Sequence, residues 1–444
     1  MSVRTKRRAC ATAGAGLAIA LALVACSGGG GDGGGGGEGD GDTVTLTWFM
    51  GAGVPDDIAT AEQLAEDFNA QNPGIEVVVD ASGPEGSELD NMVKTRLSTG
   101  DMSDLFWYNS GALMLALNPD QQLLNVGDEP WLDDLNAAYR GTISTDAGAY
   151  GAPVGSAMGG GFFYNIKVYE DLGLTAPTTW DEFMENNAAI RAAGIDPVIQ
   201  SYGDTWTSQM VTLADFYNVY EADPDFGEQL TANEVTFADT PAALASFQKL
   251  EDLATAGYFN EDYPTLLLDQ ALAKLANGEG AAYPMLTFAQ ATITQNFPDQ
   301  AEDIGFFPVP GDSADANGLT TWMPSSVYAP AYTEHPDEVK KFMAFVASPD
   351  GCDAITTARG VTGPYVVDGC EITGDVSRIV QDMLPFFEDD RTAPALEFLS
   401  PVKGPNLLNI TVELGSGITT AEQAAKAYDA DNAAQAQQLG LEGW

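Results

Sequence analysis

Hydrophobic positions in the first part of the chain alternate between short continuous runs, typical of buried strands, and the three-to-four spacing typical of helices. Val44–Phe49, Ile75–Val79 and Leu105–Tyr108 are runs of β-branched and aromatic residues and predict three strands. Between them, apolar residues recur on one helical face over Pro55–Asn69 and Ser87–Ser98 and predict two helices. This β-α-β-α-β order predicts a parallel sheet with right-handed crossovers.

A second α/β unit is predicted further along the chain. Gly161–Tyr164 predicts a strand, and Thr179 with Glu182 three residues later has the pattern of a capping box at the start of a helix. Thr419 or Thr420 is predicted to cap the last helix. Two α/β lobes that exchange the chain more than once fit this order better than three separate domains in a row.

The charge of the chain narrows the possible partners. Its 444 residues include 65 acidic and 18 basic side chains, and the formal net charge is −47 at pH 7. Binding to phosphates or to anionic lipid needs clustered Lys and Arg, so this composition argues against nucleic-acid partners and basic membrane patches. The single histidine, His335, argues against multi-histidine metal centres and a Ser-His-Asp triad. We expect no cofactor and no metal.

The first 25 residues are predicted to be an export signal. Four basic residues within the first eight precede Ala9–Val24, an apolar stretch too short for a comfortable membrane span. The stretch leads into Leu-Val-Ala-Cys26, which resembles the lipobox of bacterial lipoproteins, whose cysteine becomes the lipidated N-terminus. An ordinary cleaved signal with a chance cysteine is the alternative. Residues 26–42, lipidated Cys26 followed by a glycine-rich stretch, are predicted to be a flexible tether.

Six motifs follow one another along the body of the chain. They are EDFNAQNPGIEVVV (Glu66–Val79), LSTGDMSDLFW (Leu97–Trp107), Tyr150–Phe183, LANGEGAAYP (Leu275–Pro284), FFPVPG (Phe306–Gly311) and FMAFVASPDG (Phe342–Gly351). The third is the most specific, since it carries Gly-x-Pro, Tyr-Asn, Gly-Leu and Pro-x-Thr-Trp-Asp-Glu-Phe elements in order. Taken together, the motifs resemble those of the family 1 extracellular solute-binding proteins of ABC importers, the group similar to the maltose-binding protein.

The resemblance implies a fold and a function. The fold is the α/β, two-lobe, type II periplasmic-binding-protein-like fold, with a ligand cleft between the lobes. We expect the N-lobe to comprise 43–156 and 322–362, and the C-lobe 157–321 and 363–444. The implied function is that of a lipid-anchored, monomeric binding protein, not an enzyme, on the outer face of the cytoplasmic membrane. It would capture a mono- or oligosaccharide by hinge closure and deliver it to the ABC permease.

Most candidate ligand-binding residues follow predicted strands, because ligands of open parallel sheets gather beyond the carboxyl ends of strands. The resemblance instead suggests Phe288, near where the family often has a stacking aromatic, and Trp322 lies near the predicted return crossing between the lobes. A sugar needs a ring to stack on and polar groups for its hydroxyls. The stacking candidates are Tyr108, Trp206, Phe288 and Trp322, and the polar candidates are Asn109, Asp204 and Glu85. Each ring could instead pack in a core.

Three further alternatives stay open at this point. Cys352 and Cys370 are expected to form a disulfide in an exported protein, but could be two buried free thiols. The negative charge could serve to attract a cationic ligand, such as a polyamine or a peptide, instead of a sugar. An extracellular glycosidase needs only two carboxylates at a fixed separation, and the chain has many.

Overall fold

The computed structural model of the protein describes residues 43–372 and 376–444. The predicted signal sequence, Cys26 and the glycine-rich tether lie outside the described residues. No helix within the described ranges combines the length and the apolar character that a bilayer crossing needs.

Strands and helices alternate along the described part of the chain. The strands are β1 (Val44–Gly51), β2 (Ile75–Gly83), β3 (Leu105–Tyr108), β4 (Ser144–Thr145), β5 (Gly148–Ala149), β6 (Ala152–Pro153), β7 (Met158–Asn165), β8 (Asp196–Val198), β9 (Gly280–Leu286), β10 (Ile304–Pro308), β11 (Leu319–Trp322), β12 (Ser326–Tyr328) and β13 (Thr392–Pro394). The α-helices are α1 (Pro55–Gln71), α2 (Gly86–Thr99), α3 (Ala112–Leu115), α4 (Pro119–Gln122), α5 (Ala137–Thr142), α6 (Ile166–Asp171), α7 (Trp180–Ala192), α8 (Met210–Ala214), α9 (Phe216–Ala222), α10 (Phe226–Thr231), α11 (Pro241–Thr255), α12 (Leu268–Ala276), α13 (Gln290–Asn296), α14 (Pro336–Val346), α15 (Pro349–Arg359), α16 (Arg378–Glu388), α17 (Leu407–Gly415) and α18 (Ala421–Leu439).

The first sheet has five strands in the order β2-β1-β3-β12-β6. As the sequence predicts, β1 runs parallel to β2 and β3, whereas β12 lies antiparallel to β3 and β6. Helices α1, α14 and α15 cover an aromatic core in which the Trp48 and Trp107 rings stack with centroids 5.9 Å apart. The Phe342 ring meets Trp48 edge-on at 5.2 Å. We call this sheet and the elements packed on it the first lobe.

The second sheet has six strands, five of them in the order β13-β11-β7-β9-β8, with β10 also paired to β7. Its core is built on β7: the Phe162 ring lies 4.6 Å from Phe183 of α7 and 5.5 Å from Phe307 of β10. The predicted capping box is present. The Thr179 hydroxyl accepts a hydrogen bond from the Glu182 backbone N–H, and the Glu182 carboxylate accepts one from the Thr179 backbone N–H. We call this sheet and its helices the second lobe.

The described residues belong to one lobe or the other in an order that requires three changes of lobe, which we call crossings. The first joins β6 to β7 and the second joins β11 to β12. The third lies between Val367, in the core of the first lobe, and Ile379, in that of the second. Trp322 still pairs with Met158 in the second sheet, one residue past the predicted change of lobe.

A disulfide joins Cys352 of α15 to Cys370, with the two Cα atoms 6.1 Å apart. The closed loop contains the second half of α15 and the start of the third crossing. It therefore ties a segment that leads from one lobe to the other back onto a helix of the first lobe.

Candidate functional site

A cavity of about 360 Å³ lies between the two lobes, at the carboxyl ends of β1 and β3. The first lobe contributes the loop before α2 and the end of β3. The second lobe contributes two short 3-10 turns, Thr205–Gln209 and Thr287–Ala289, and the loop around Lys403. The sequence predicts this placement, because loops at the carboxyl ends of parallel strands meet at one edge of the sheet.

Aromatic rings form one wall of the cavity. Trp206 and Phe288 sit on the two 3-10 turns, and their ring centroids are 6.2 Å apart with planes tilted by 34°. Both rings are half-buried, so each has a face available for contact. Trp322 also lines the cavity but is only 6% exposed, because its ring packs on the backbone of Gly160, where a Cβ atom would lie 2.3 Å from it.

Tyr108 lines the cavity but is only 3% exposed, because its ring packs in a core of the first lobe. The hydroxyl donates to Asp90 Oδ1 over 2.8 Å. Burial and the neighbouring Asp90 raise the pKa of Tyr108 well above its usual range, so the hydroxyl remains protonated. Burial also raises the pKa of Asp90, while the Tyr108 hydroxyl and the ammonium groups of Lys94 and Lys403 offset part of that rise.

Asn109 and Glu85 line the cavity from the first lobe. Asn109 accepts a hydrogen bond from Ser325 Oγ over 3.2 Å through its side-chain oxygen, which leaves its amide N–H groups for another partner. Glu85 is exposed at the rim, and its side chain lies over Gly53, where a Cβ atom would be 2.1 Å from the carboxyl carbon. Partial burial, and then the negative charge of Asp204, raise the pKa of Glu85.

Asp204 is the one predicted site residue that does not line the cavity. Its Oδ2 atom accepts the backbone N–H of Leu268 over 2.6 Å, at the start of α12. The first N–H groups of a helix have no partner within the helix, and this carboxylate supplies one. That Asp204 faces the ligand stays a prediction, with one of its two carboxylate oxygens engaged at the start of α12. Six predicted residues do line the one cavity: Glu85, Tyr108, Asn109, Trp206, Phe288 and Trp322.

Sequence reasoning missed five charged residues of the cavity wall. They are Asp57, Asp90, Arg359, Glu397 and Lys403. Arg359 Nη2 donates to Asp57 Oδ1 over 2.7 Å in the first lobe, and Lys403 forms an ion pair with Glu397 in the second. The position of Asp57, in the first turn of the helix after β1, could have identified it as lying at the same sheet edge as Tyr108. No local pattern marks the other four.

The arrangement suits a ligand that has both apolar faces and hydroxyl groups. Apolar rings lie beside a small set of polar groups, the usual composition of a small-molecule site. Among residues 43–372 and 376–444, no group of three or more His, Cys, Asp or Glu side chains is placed to hold a metal ion.

The chain is similar in sequence to known bacterial binding proteins. Residues 51–351 match the family described as "Bacterial extracellular solute-binding protein". The "Multiple sugar-binding protein" of Streptococcus mutans is 26% identical over 324 residues, which cover 71% of this chain and 72% of that protein. The "Melibiose/raffinose/stachyose-binding protein MelE" of Bacillus subtilis is 20% identical over 325 residues, which cover 71% of this chain and 73% of that protein.

Two solved structures show the same two-lobe architecture. A "Chitin oligosaccharide binding protein" superposes with a TM-score of 0.75 at 22% identity, over 89% of this chain and 100% of that one. "SBP RafE in complex with raffinose" superposes with a TM-score of 0.72 at 20% identity, over the same shares of the two chains. The fold is therefore the type II, periplasmic-binding-protein-like arrangement that the sequence predicts.

Proposed function

As the chain belongs to the bacterial extracellular solute-binding proteins, we propose that it captures a carbohydrate outside the cell and delivers it to the permease of an ABC transporter. The observation that carries the proposal is the pair of neighbouring rings, Trp206 and Phe288, which faces polar groups of the other lobe across the cavity. The sugar-binding proteins to which the chain is similar support it.

The proposed capture mechanism follows from the fact that each lobe supplies one wall of the cavity. A neutral sugar offers no charge to attract, so its affinity comes from apolar stacking and directed hydrogen bonds in a water-excluded cleft. The rings belong to the second lobe, whereas Tyr108 and Asn109 belong to the first. Full contact therefore needs both lobes together, and occupancy favours the closed form that the permease reads.

The location of the protein is a further part of the proposal. We place the mature N-terminus at Cys26, with acyl chains that hold a monomer at the outer face of the cytoplasmic membrane. We place the first lobe at 43–156 and 323–372, and the second at 157–322 and 376–444. The strand pairing of Trp322 and the position of the disulfide loop support these boundaries.

A cationic ligand is the second candidate. Four carboxylates line the cavity against two basic side chains, Arg359 and Lys403. The carboxylates are Asp57, Glu85, Asp90 and Glu397. This excess of negative charge favours a polyamine or a basic peptide over an anionic sugar acid.

A thermal-shift panel separates the two candidates. Melibiose, raffinose, stachyose and chitin oligosaccharides would be compared with spermidine and a lysine-rich peptide at matched ionic strength. A ligand at about 100 times its Kd stabilises the folded state by about 2.7 kcal/mol. We expect stabilisation by at least one sugar; stabilisation by the cations alone would overturn the carbohydrate proposal. Chromatography of each sugar after incubation tests for hydrolysis, which we expect to be absent.

A further inference from the structure

Asp57 and Arg359 form a charged pair in the cavity wall, apart from the aromatic rings. Asp57 lies in the first turn of α1, and Arg359 is the last residue of α15. The guanidinium donates to Asp57 Oδ1 over 2.7 Å. The pair therefore joins two helices of the first lobe at the point where both face the cavity.

The guanidinium is deeply buried but incompletely satisfied. Arg359 is 7% exposed, and its Nε–H has no hydrogen-bond partner among the described residues. A buried donor without a partner costs free energy, and an arginine has five N–H groups to satisfy. Arg359 also lines the cavity, so an acceptor beside it would give the guanidinium a further hydrogen-bond partner.

Neighbouring hydroxyls do not supply that acceptor. Ser156 and Thr362 also line the cavity, but their hydroxyl groups bond to each other over 2.7 Å. Gln290 of the second lobe donates to the Arg359 carbonyl oxygen over 3.1 Å, which holds the backbone of Arg359 at the junction of the lobes. The second lobe thus holds the backbone of Arg359 and the first lobe its side chain, while the donor capacity of the guanidinium remains partly unused.

We propose that Asp57 and Arg359 together read the hydroxyl groups of one sugar ring, with Arg359 donating to one oxygen and Asp57 accepting from a neighbouring hydroxyl. A donor beside an acceptor matches two adjacent hydroxyls of defined stereochemistry. The rings accept the apolar face of many sugars, so the charged pair determines which sugar binds. The inference rests on the proposed carbohydrate function and names the part of the site that sets its specificity.

The test uses two conservative variants and a matched control. Asp57→Asn keeps the shape of the side chain but loses its charge and one acceptor. Arg359→Lys keeps the charge but loses the Nε donor and the planar fork. Glu129→Gln is the control, because Glu129 also pairs with a basic residue of the first lobe, Lys340 at 2.9 Å, and does not line the cavity.

Calorimetry with melibiose, raffinose, stachyose and chitin oligosaccharides, beside thermal melting, gives the readout. For each sugar that the wild type binds, we expect Asp57→Asn and Arg359→Lys to weaken affinity at least tenfold and Glu129→Gln to change it less than twofold. A monodeoxy sugar, which lacks one hydroxyl group, should bind the wild type more weakly than the parent sugar does. The same comparison made with Asp57→Asn should show a smaller loss of affinity. Such coupling does not arise if the pair only supports the fold.

The outcomes separate the two proposals. If the wild type binds none of these sugars, the carbohydrate function fails. If the wild type binds a sugar and both cavity variants bind it equally well, the function stands and the assignment of Asp57 and Arg359 is overturned. Loss of folding in both variants would assign the pair to the fold and also overturn it.

Discussion

Thr292 of α13 donates its hydroxyl hydrogen to Asp56 Oδ2 over 2.7 Å, and this bond joins the second lobe to the first. Asp56 is 5% exposed in the first turn of α1, and neither residue lines the cavity. The bond can exist only while the lobes are close together. It therefore stabilises this arrangement of the lobes from outside the cavity.

Removing this bond should shift the protein towards an open form. Thr292→Val deletes the donor and keeps the side-chain shape. A hydrogen bond to a charged group contributes about 1.5–3 kcal/mol, so raffinose affinity should fall roughly tenfold or more if raffinose is a ligand. Small-angle scattering should show a larger radius of gyration for the ligand-free variant.

Thr294→Val on the same helix is the control, because the Thr294 hydroxyl donates to the Gln290 carbonyl oxygen of its own helix. It should leave both affinity and scattering unchanged. Equal behaviour of the two threonine variants would contradict the role of the Asp56–Thr292 bond.

The two tryptophans of the wall should respond differently to truncation. Trp206 is half-buried beside Phe288, so Trp206→Ala should weaken sugar binding by about 2 kcal/mol or more with a small loss of folding stability. Trp322 is packed on Gly160, so Trp322→Ala should also cost about 3–5 kcal/mol of unfolding free energy, as for a core ring. Calorimetric binding and denaturant unfolding would be measured on both variants, and normal sugar binding by Trp206→Ala would remove that ring from the site.

Asp90 predicts a pH dependence of stability. Its pKa is raised in the folded protein, mainly by burial, so the folded state holds the proton more tightly than the unfolded chain does. The wild type should therefore lose stability relative to Asp90→Asn as the pH rises from about 3.9, the usual aspartate pKa, to the raised value, at about 1.4 kcal/mol for each pH unit of that interval. Above the interval the difference should be constant. Chemical unfolding of both proteins between pH 3.5 and 8 checks the sign, and a difference that grew in the opposite direction would show that Lys94, Lys403 and Tyr108 outweigh burial.

Membrane attachment should depend on Cys26. We expect Cys26→Ala to yield either soluble protein or an unprocessed precursor in cell fractionation, because the acceptor for the acyl chains is gone. Cys370→Ser, which changes a cysteine of the body, should leave the attachment intact. Membrane retention of a normally processed Cys26→Ala protein would contradict lipidation at this residue.

The sequence predicts the first lobe well where elements that are consecutive in the chain also lie next to each other in the sheet. The predicted helix Pro55–Asn69 is observed as Pro55–Gln71, and the three predicted strands are present in parallel. The strand predicted to end at Val79 continues to Gly83. The polar residues after Val79 predicted a loop, but β1 pairs with this segment as far as Gly51 and satisfies its backbone hydrogen-bonding groups. Strand β12, from beyond residue 320, enters this sheet without a local signal.

The residues of the site also differ in how far the sequence predicts them. Tyr108 and Asn109 could be predicted from the sequence because they end a strand, and the aromatic pair because it follows strands of the second lobe. Arg359 and Lys403 could not, since the chain brings them to Asp57 and Asp90 from some 300 residues away. Asp204 differs from the other candidates, because one of its carboxylate oxygens accepts the Leu268 N–H at the start of α12.

The disulfide between Cys352 and Cys370 encloses Arg359 in its loop. Thiols stay reduced in the bacterial cytoplasm and are oxidised after export. With both cysteines reduced, the segment that leads from Arg359 to Cys370 would lose its disulfide link to α15 and be held less firmly. We therefore expect the cavity wall around Arg359 to be held most firmly in an oxidising compartment.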